Sequence, residues 1–149
     1  MTQSHKTVNE MNDVQLRYNL AAQALSKLLQ DNSLGIPIIV EGKKDTVALR
    51  ALGFTGAIEQ LNRGWDLDRF CTYLYEKYGT RNSQGGAVIE LLMDWDRTGG
   101  RLQKTLIEKL QALDVKINQE TRKVLSKALN PETKYVESLN SLGLEEFIQ

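Results

Sequence analysis

The run Ala87-Val88-Ile89-Glu90-Leu91-Leu92-Met93 is the clearest strand in the chain, and it limits what the rest can be. It is apolar at successive positions, so a strand made from it is covered on both faces. Ile36 to Val40 is a second, β-branched run of this kind, closed by Glu41-Gly42. Amphipathic stretches alternate with these runs. Asp45 to Leu52 stops at Gly53, and Leu67 to Tyr78 carries Phe70, Leu74 and Tyr75 and closes at Gly79. A helix after Thr98-Gly99-Gly100 presents Leu102, Leu106, Ile107, Leu110 and Leu113 on one face. Gly56 to Leu61 is a weaker strand and Val115 to Ile117 a short last one. Ahead of them, Asn12 to Gln30 repeats Val14, Tyr18, Ala21, Leu25, Leu28 and Leu29 at helical spacing. Behind them, Thr121 to Leu129 reads as a helix, Asn130-Pro131 breaks it, and Tyr135 to Leu139 adds a turn or two.

Strands that alternate with helices need crossover connections, which place helices against the sheet. The expected class is therefore α/β: a compact, mostly parallel sheet of about four strands with helices on both faces, plus an N-terminal helix. At 149 residues the chain has room for one core. Residues 1–35 form a helical extension, 36–118 the α/β core, and 119–149 a helical tail packed on the same core.

Composition removes several chemistries. Cys71 is the single cysteine and His5 the single histidine. An internal disulfide, a structural zinc cluster and a Ser-His-Asp triad are thereby set aside. Catalysis would have to use carboxylates, Lys, Arg, Ser, Thr or Tyr. Hydrophobic residues at 41% and charged residues at 26% fit a globular chain. No apolar run approaches the roughly 18 residues that cross a bilayer, and MTQSHKTVNE has no signal-peptide apolar block, so the expectation is a cytoplasmic protein with no membrane partner. The formal net charge of zero counts against a nucleic-acid binder, though a metal site and a basic rim supply positive charge locally.

The acids are placed more tellingly than they are numerous. In parallel sheets ligands bind beyond the carboxyl ends of the strands, and both Glu41 and Asp94-Trp95-Asp96 are predicted to lie at such ends. Aspartates at i and i+2 in extended chain point the same way, so Asp94 and Asp96 can share a hard cation, with Glu41 as a third carboxylate. The competing interpretation is structural: an acid pair before Thr98-Gly99-Gly100 caps the following helix, and Glu41 is a turn residue. Glu90 interrupts an apolar strand where an unpaired charge is costly, and the sequence names no partner for it.

Two motifs carry a resemblance. Val40-Glu41-Gly42-Lys43-Lys44-Asp45, followed by Ala48-Leu49 and Leu52-Gly53, resembles the first Toprim motif; Leu92-Met93-Asp94-Trp95-Asp96-Arg97-Thr98-Gly99-Gly100 resembles the second. Order and spacing agree, and the resemblance covers roughly residues 36–118. The Toprim family includes bacterial primases, type IA and type II topoisomerases, a ribosomal RNA maturase and nucleases, and the chain is most similar to its small stand-alone archaeal members. The resemblance implies Glu41 as general acid or base and Asp94 and Asp96, with Glu41, around magnesium or manganese. It further implies chemistry on nucleic-acid phosphodiesters, with nuclease activity first and a non-catalytic accessory of a larger DNA- or RNA-processing complex as the alternative. Lys43, Lys44, Arg63, Arg97, Arg101 and Lys104 fall near the same edge and are candidates for phosphate contacts. Trp95 is bulkier than many relatives place between the aspartates; core packing is favoured over base stacking.

Asp94-Trp95-Asp96-Arg97-Thr98 also resembles the nucleophile motif of haloacid-dehalogenase-like phosphatases. That motif belongs on an early strand, with a lysine and a further acidic pair well downstream. An EF-hand loop starting at Asp94 would place Thr105 where its glutamate belongs.

Overall fold

A computed structural model describes the backbone of residues 2–148 and the side chains of residues 12–148. His5 lies outside the residues whose side chains are described. The chain runs α1 (Thr2–Ser33), β1 (Ile38–Val40), α2 (Lys43–Ala51), β2 (Ile58–Gln60), α3 (Leu67–Tyr78), β3 (Ile89–Leu91), α4 (Arg97–Ala112), β4 (Ile117–Asn118) and α5 (Glu120–Leu129), then two 3-10 segments, Val136–Ser141 and Leu144–Glu146. The four strands form one sheet in the order β2-β1-β3-β4. Every pairing is parallel: Ile38 stands beside Ile58 on one side and Glu90 on the other, and Ile89 beside Ile117. The expected α/β class, with a parallel four-stranded sheet between helices, is what is found.

The alternation of side chains along β1 and β3 divides the core in two. Ile38, Val40 and Leu92 face α1, α2, α5 and the tail, where Leu25, Leu49, Leu125, Leu129, Val136 and Leu139 are buried. Ile39, Ile89 and Leu91 face α3 and α4, against Phe70, Cys71, Leu74, Leu106 and Leu110. Burial in that second layer pushes the Cys71 thiol up to about 11, so it behaves as a small apolar side chain. No helix among the described residues is long and apolar enough to cross a membrane.

Four helices start earlier than expected: α2 at Lys43 rather than Asp45, α5 at Glu120 rather than Thr121, and α1 and α4 for identifiable reasons. α1 begins at Thr2 rather than Asn12: the opening residues lack an apolar stripe, but no Gly or Pro interrupts them before Gly35. α4 begins at Arg97, with Gly99 and Gly100 inside its first turn, because Asp96 caps it by accepting the Gly99 N–H at 2.7 Å. The last strand is Ile117–Asn118, shifted past the expected Val115 to Ile117. At the far end of α1, buried Asn32 donates to the carbonyls of Ile36 and Ala57 at 2.9 Å and accepts from the Gly56 N–H at 2.8 Å. That one side chain ties the helix to the segments entering β1 and β2.

Two buried glutamates on the sheet meet opposite environments. Glu59 accepts from Tyr73, Tyr78, Lys77 and Arg63. Burial alone would raise its pKa, but these donors together hold it below the ordinary value. Glu90 is 2% exposed. One of its oxygens is met by Thr121, while Oε2 has no hydrogen-bond partner among the described residues. Burial pushes this carboxyl up to about 7, against the Thr121 hydrogen bonds.

A raised native pKa means that the folded state holds the proton more tightly than the unfolded state, whose value is near 4.5. Glu90 therefore withdraws stability as pH rises from about 4.5 to about 7, with its full cost present above that window. Glu90→Gln, neutral throughout, should melt at a higher temperature than wild type at pH 8 and lose that advantage by pH 5. Circular-dichroism melts at the two pH values measure it; an equal difference at both contradicts an ionisation cost.

Candidate functional site

β1 and β3 are adjacent and parallel, so their carboxyl ends lie side by side. Glu41 follows the last residue of β1, and its carbonyl accepts the Asn62 N–H at 2.9 Å, which ties it to the chain leaving β2. Gly42 then caps α2, donating its N–H to the Asp45 carboxylate at 3.1 Å. Asp45 sits one turn into α2 and is directed back toward Glu41 by the tilt of helical side chains.

The exit of β3 is held from several directions. The Asp94 Oδ1 accepts the Val136 N–H at 2.8 Å, so the C-terminal tail fixes this carboxylate. Its carbonyl accepts from the Arg122 guanidinium at 2.8 Å, and the same group reaches the Met93 carbonyl at 3.1 Å. The Trp95 backbone N–H donates to the Lys134 carbonyl at 2.9 Å and its indole Nε1 to the Thr133 carbonyl at 2.8 Å. Trp95 is thus a core residue with its polar edge satisfied, as packing against base stacking favoured. A Cβ on Gly99 would stand 2.1 Å from the Asp94 carbonyl oxygen, so only glycine lets the first turn of α4 lie against this bend.

A hollow of about 380 Å³ opens between the two strand ends. Glu41, Asp45, Asp94 and Glu137 line it together with Lys43, Lys44, Asn62 and Tyr135. Asp96 is not part of that lining: its side chain turns to cap α4, as the structural interpretation of the acid pair had it, and Asp94 and Asp96 do not open side by side into the hollow. Its charge still acts on both Asp94 and Glu41. Burial, then repulsion from Asp45, Asp96 and Glu41, pushes Asp94 up to about 6 despite the Val136 N–H. Glu41 is raised by burial and by Asp45 and Asp96; Asp45 is raised by burial and by Glu137, against the Gly42 N–H. Arg122 is shifted down by burial, with the charges of Asp94 and Asp96 opposing the shift. Crowded oxygen donors of this kind suit a hard cation that keeps much of its water. Among the described residues, however, no three His, Cys, Asp or Glu side chains already stand as a metal cage.

Comparison with known proteins places this architecture in a group. A UPF0292 protein of Thermococcus onnurineus is 35% identical over 108 residues, spanning 72% of this chain and 74% of its own. The chain belongs to the UPF0292 family. A UPF0292 protein of Methanosarcina acetivorans is 29% identical over 132 residues, covering 87% and 85% of the two chains. No family model matches. A solved protein from Aquifex aeolicus superposes with a TM-score of 0.60 at 24% identity, across 76% of this chain and 94% of its own, which shows a shared fold.

In this UPF0292 member the basic candidates divide into three. Lys43 and Lys44 line the hollow and are exposed. Arg97, Arg101 and Lys104 are exposed on α4 at helical spacing, on one side of that helix. Arg63 is turned elsewhere: its guanidinium pairs with Glu59 at 3.1 Å, donates to the Gln60 carbonyl at 2.7 Å and lies over Trp65, Phe70 and Tyr73. A phosphate contact would compete with all of these. Sequence reasoning treated Asp45 only as the acid opening a helix, and it passed over Tyr135, Glu137 and Arg122. Asp45 had a signal, since Glu41-Gly42-Lys43-Lys44-Asp45 puts two acids one helical turn apart. The others come from the tail and α5, where nothing local marks them.

Two outcomes follow from this geometry. Gly99→Ala should destabilise by about 1–3 kcal/mol because backbone must move, whereas Gly100→Ala, whose Cβ would meet only the Arg122 side chain at 3.7 Å, should fall within about 1 kcal/mol of wild type. Urea unfolding compares them, and equal stabilities refute the close approach. In metal-free protein, Asp45→Asn should lower the Asp94 titration midpoint from about 6 by removing a repelling charge. Carboxyl carbon shifts followed by NMR read this directly, and an unmoved midpoint separates the two acids.

Proposed function

We propose that this chain is a Toprim-like, magnesium- or manganese-dependent protein acting on nucleic-acid phosphodiesters, with nuclease activity as the first expectation. The observation that carries the reading is the meeting of Glu41 and Asp94 in one hollow beyond adjacent parallel strand ends, with Lys43 and Lys44 on its wall. Ligands of such sheets bind at that edge. Asp94 and Glu41 would hold the metal from the hollow, with Asp96 joining them if its carboxylate leaves the α4 cap, and the metal when bound would stabilise charge on a phosphoryl oxygen and acidify a water or hydroxyl. Glu41 is placed for proton transfer: its raised pKa brings it nearer neutrality, where a carboxyl exchanges protons more readily than an ordinary surface acid. Lys43 and Lys44 would meet phosphate oxygens as point charges, and Arg97, Arg101 and Lys104 would carry the backbone along α4. The Asp94 carboxylate keeps its orientation through the Val136 N–H, so an incoming ion meets a positioned ligand.

The accessory reading has its own support. The chain is short at 149 residues, and it is neutral overall. Both fit a module that binds within a larger assembly without cutting.

Labelled single- and double-stranded DNA and RNA, incubated with magnesium or manganese, decide between them. Cleavage should appear with metal, stop in EDTA, and fall at least about 100-fold in Glu41→Gln, Asp94→Asn and Asp96→Asn. Asparagine caps a helix about as well as aspartate, so Asp96→Asn tests the charge with α4 intact. Cleavage that survives EDTA, or is untouched by all three substitutions, overturns the metal mechanism. Binding that weakens steeply with salt, without cleavage, selects the accessory reading.

A further inference from the structure

The acid that no part of the proposed chemistry uses is Glu90. It lies on β3 at the bottom of a groove of about 280 Å³ between α1 and α5, and this groove shares no lining residue with the acidic hollow. The side chain is 2% exposed, one oxygen is satisfied by Thr121, and Oε2 has no partner among the described residues. An unpaired buried carboxyl in a tightly packed parallel sheet costs stability unless something arrives to pair with it.

The walls say what that something is. Leu20, Ala24 and Leu28 of α1 and Val124 of α5 present an apolar lining, and Leu20 is 46% exposed. Among the described residues, the titratable groups that line the opening with Glu90 are Lys27 and Asp31 on α1 and Glu120 on α5, with Gln23, Asn118 of β4 and Thr121 as neutral polar neighbours. Three acids against one lysine leave the groove negative. A hard metal ion would need about six oxygen ligands, and these walls are mostly carbon. We infer that the groove between α1 and α5 binds a small organic cation, a primary ammonium or guanidinium on a short apolar stem, with Glu90 as the counter-ion of its head group. The stem covers Leu20, Ala24 and Val124, and the head group donates to the empty Oε2. The volume lies just below the roughly 300–1,000 Å³ of drug-sized sites, which suits a ligand of this size.

Because burial holds the proton on Glu90 up to about pH 7, cation binding at lower pH must displace it, so affinity rises with pH until the acid is ionised.

Agmatine and cadaverine, titrated into the full chain by calorimetry at fixed ionic strength, test the site. Saturable binding is expected, tightening roughly five- to tenfold from pH 6 to pH 7.5. Glu90→Gln should weaken it at least about tenfold and remove the pH dependence, Ala24→Leu should block the groove, and Asp94→Asn should bind as wild type does. Should Glu90→Gln not fold, the wild-type Glu90 carboxyl resonance decides: its midpoint must fall when agmatine saturates the protein. Absence of saturable binding, undiminished binding in Glu90→Gln, an unmoved Glu90 midpoint, or loss through Asp94→Asn alone, which would put the cation in the acidic hollow, each overturns the inference.

Discussion

How the chain leaves β3 decides almost everything at the acidic end of this sheet. Within the five residues between Leu91 and Arg97 it must leave a buried strand, present a carboxylate and start a sixteen-residue helix. The bend is fixed by backbone groups more than by side-chain packing. Arg122 takes the carbonyls of Met93 and Asp94, the tail takes the N–H of Trp95 and supplies one to Asp94, and Asp96 satisfies the first turn of α4. Each buried backbone group left unpaired here would cost about 1–3 kcal/mol. Gly99 then allows the helix to close on the bend. The C-terminal tail is in this sense structural to the candidate site, because removing it would unbind Asp94 as well as uncover Trp95.

The same bend shows where sequence reasoning reaches and where it stops. Strand ends were legible: Val40-Glu41-Gly42 and Met93-Asp94 are abrupt changes from apolar to acidic, and a parallel sheet puts such changes on one edge. The helix spanning Leu67–Tyr78 was legible in full because Asp66 caps it and Gly79, with φ of 79°, closes it. The spacing of Asp94 and Asp96 allows both to share a cation, and the structure adds a second demand on Asp96. Extended backbone orients both the same way, but the second lies at a helix start, where unpaired N–H groups recruit its side chain. Period alone cannot see that competition. Nor could any local pattern place Arg122, which α5 brings to the exit of β3, or Glu137, which depends on the tail folding back against α2.

Four acids in one fold illustrate how position sets chemistry. Glu59 and Glu90 are both buried on the sheet, 7% and 2% exposed. Two phenols, a lysine and a guanidinium stabilise the first as a carboxylate, while the second has only Thr121. Asp94 and Glu41 lie between these extremes, each raised first by burial and then by acidic neighbours. Structural acids are surrounded by donors; functional ones tend to be left short of them, since a site that binds cations or moves protons cannot be neutralised in advance. By that measure Glu59 organises α3 against β2, and the under-satisfied acids are the ones to which the proposals above assign ligands.

α5 joins the two under-satisfied regions through consecutive residues. Thr121 meets Glu90 under the groove, and Arg122 holds the Asp94 carbonyl at the hollow. The helix is packed on α1 through Leu125, Ala128 and Leu129, and Arg17 of α1 reaches the Ala128 carbonyl and Glu132 beyond it. A helix held along its length in this way moves as a body more readily than it bends. One turn of α5 therefore supplies both the donor to Glu90 and the clamp on the Asp94 carbonyl, and its seating on α1 fixes the two together.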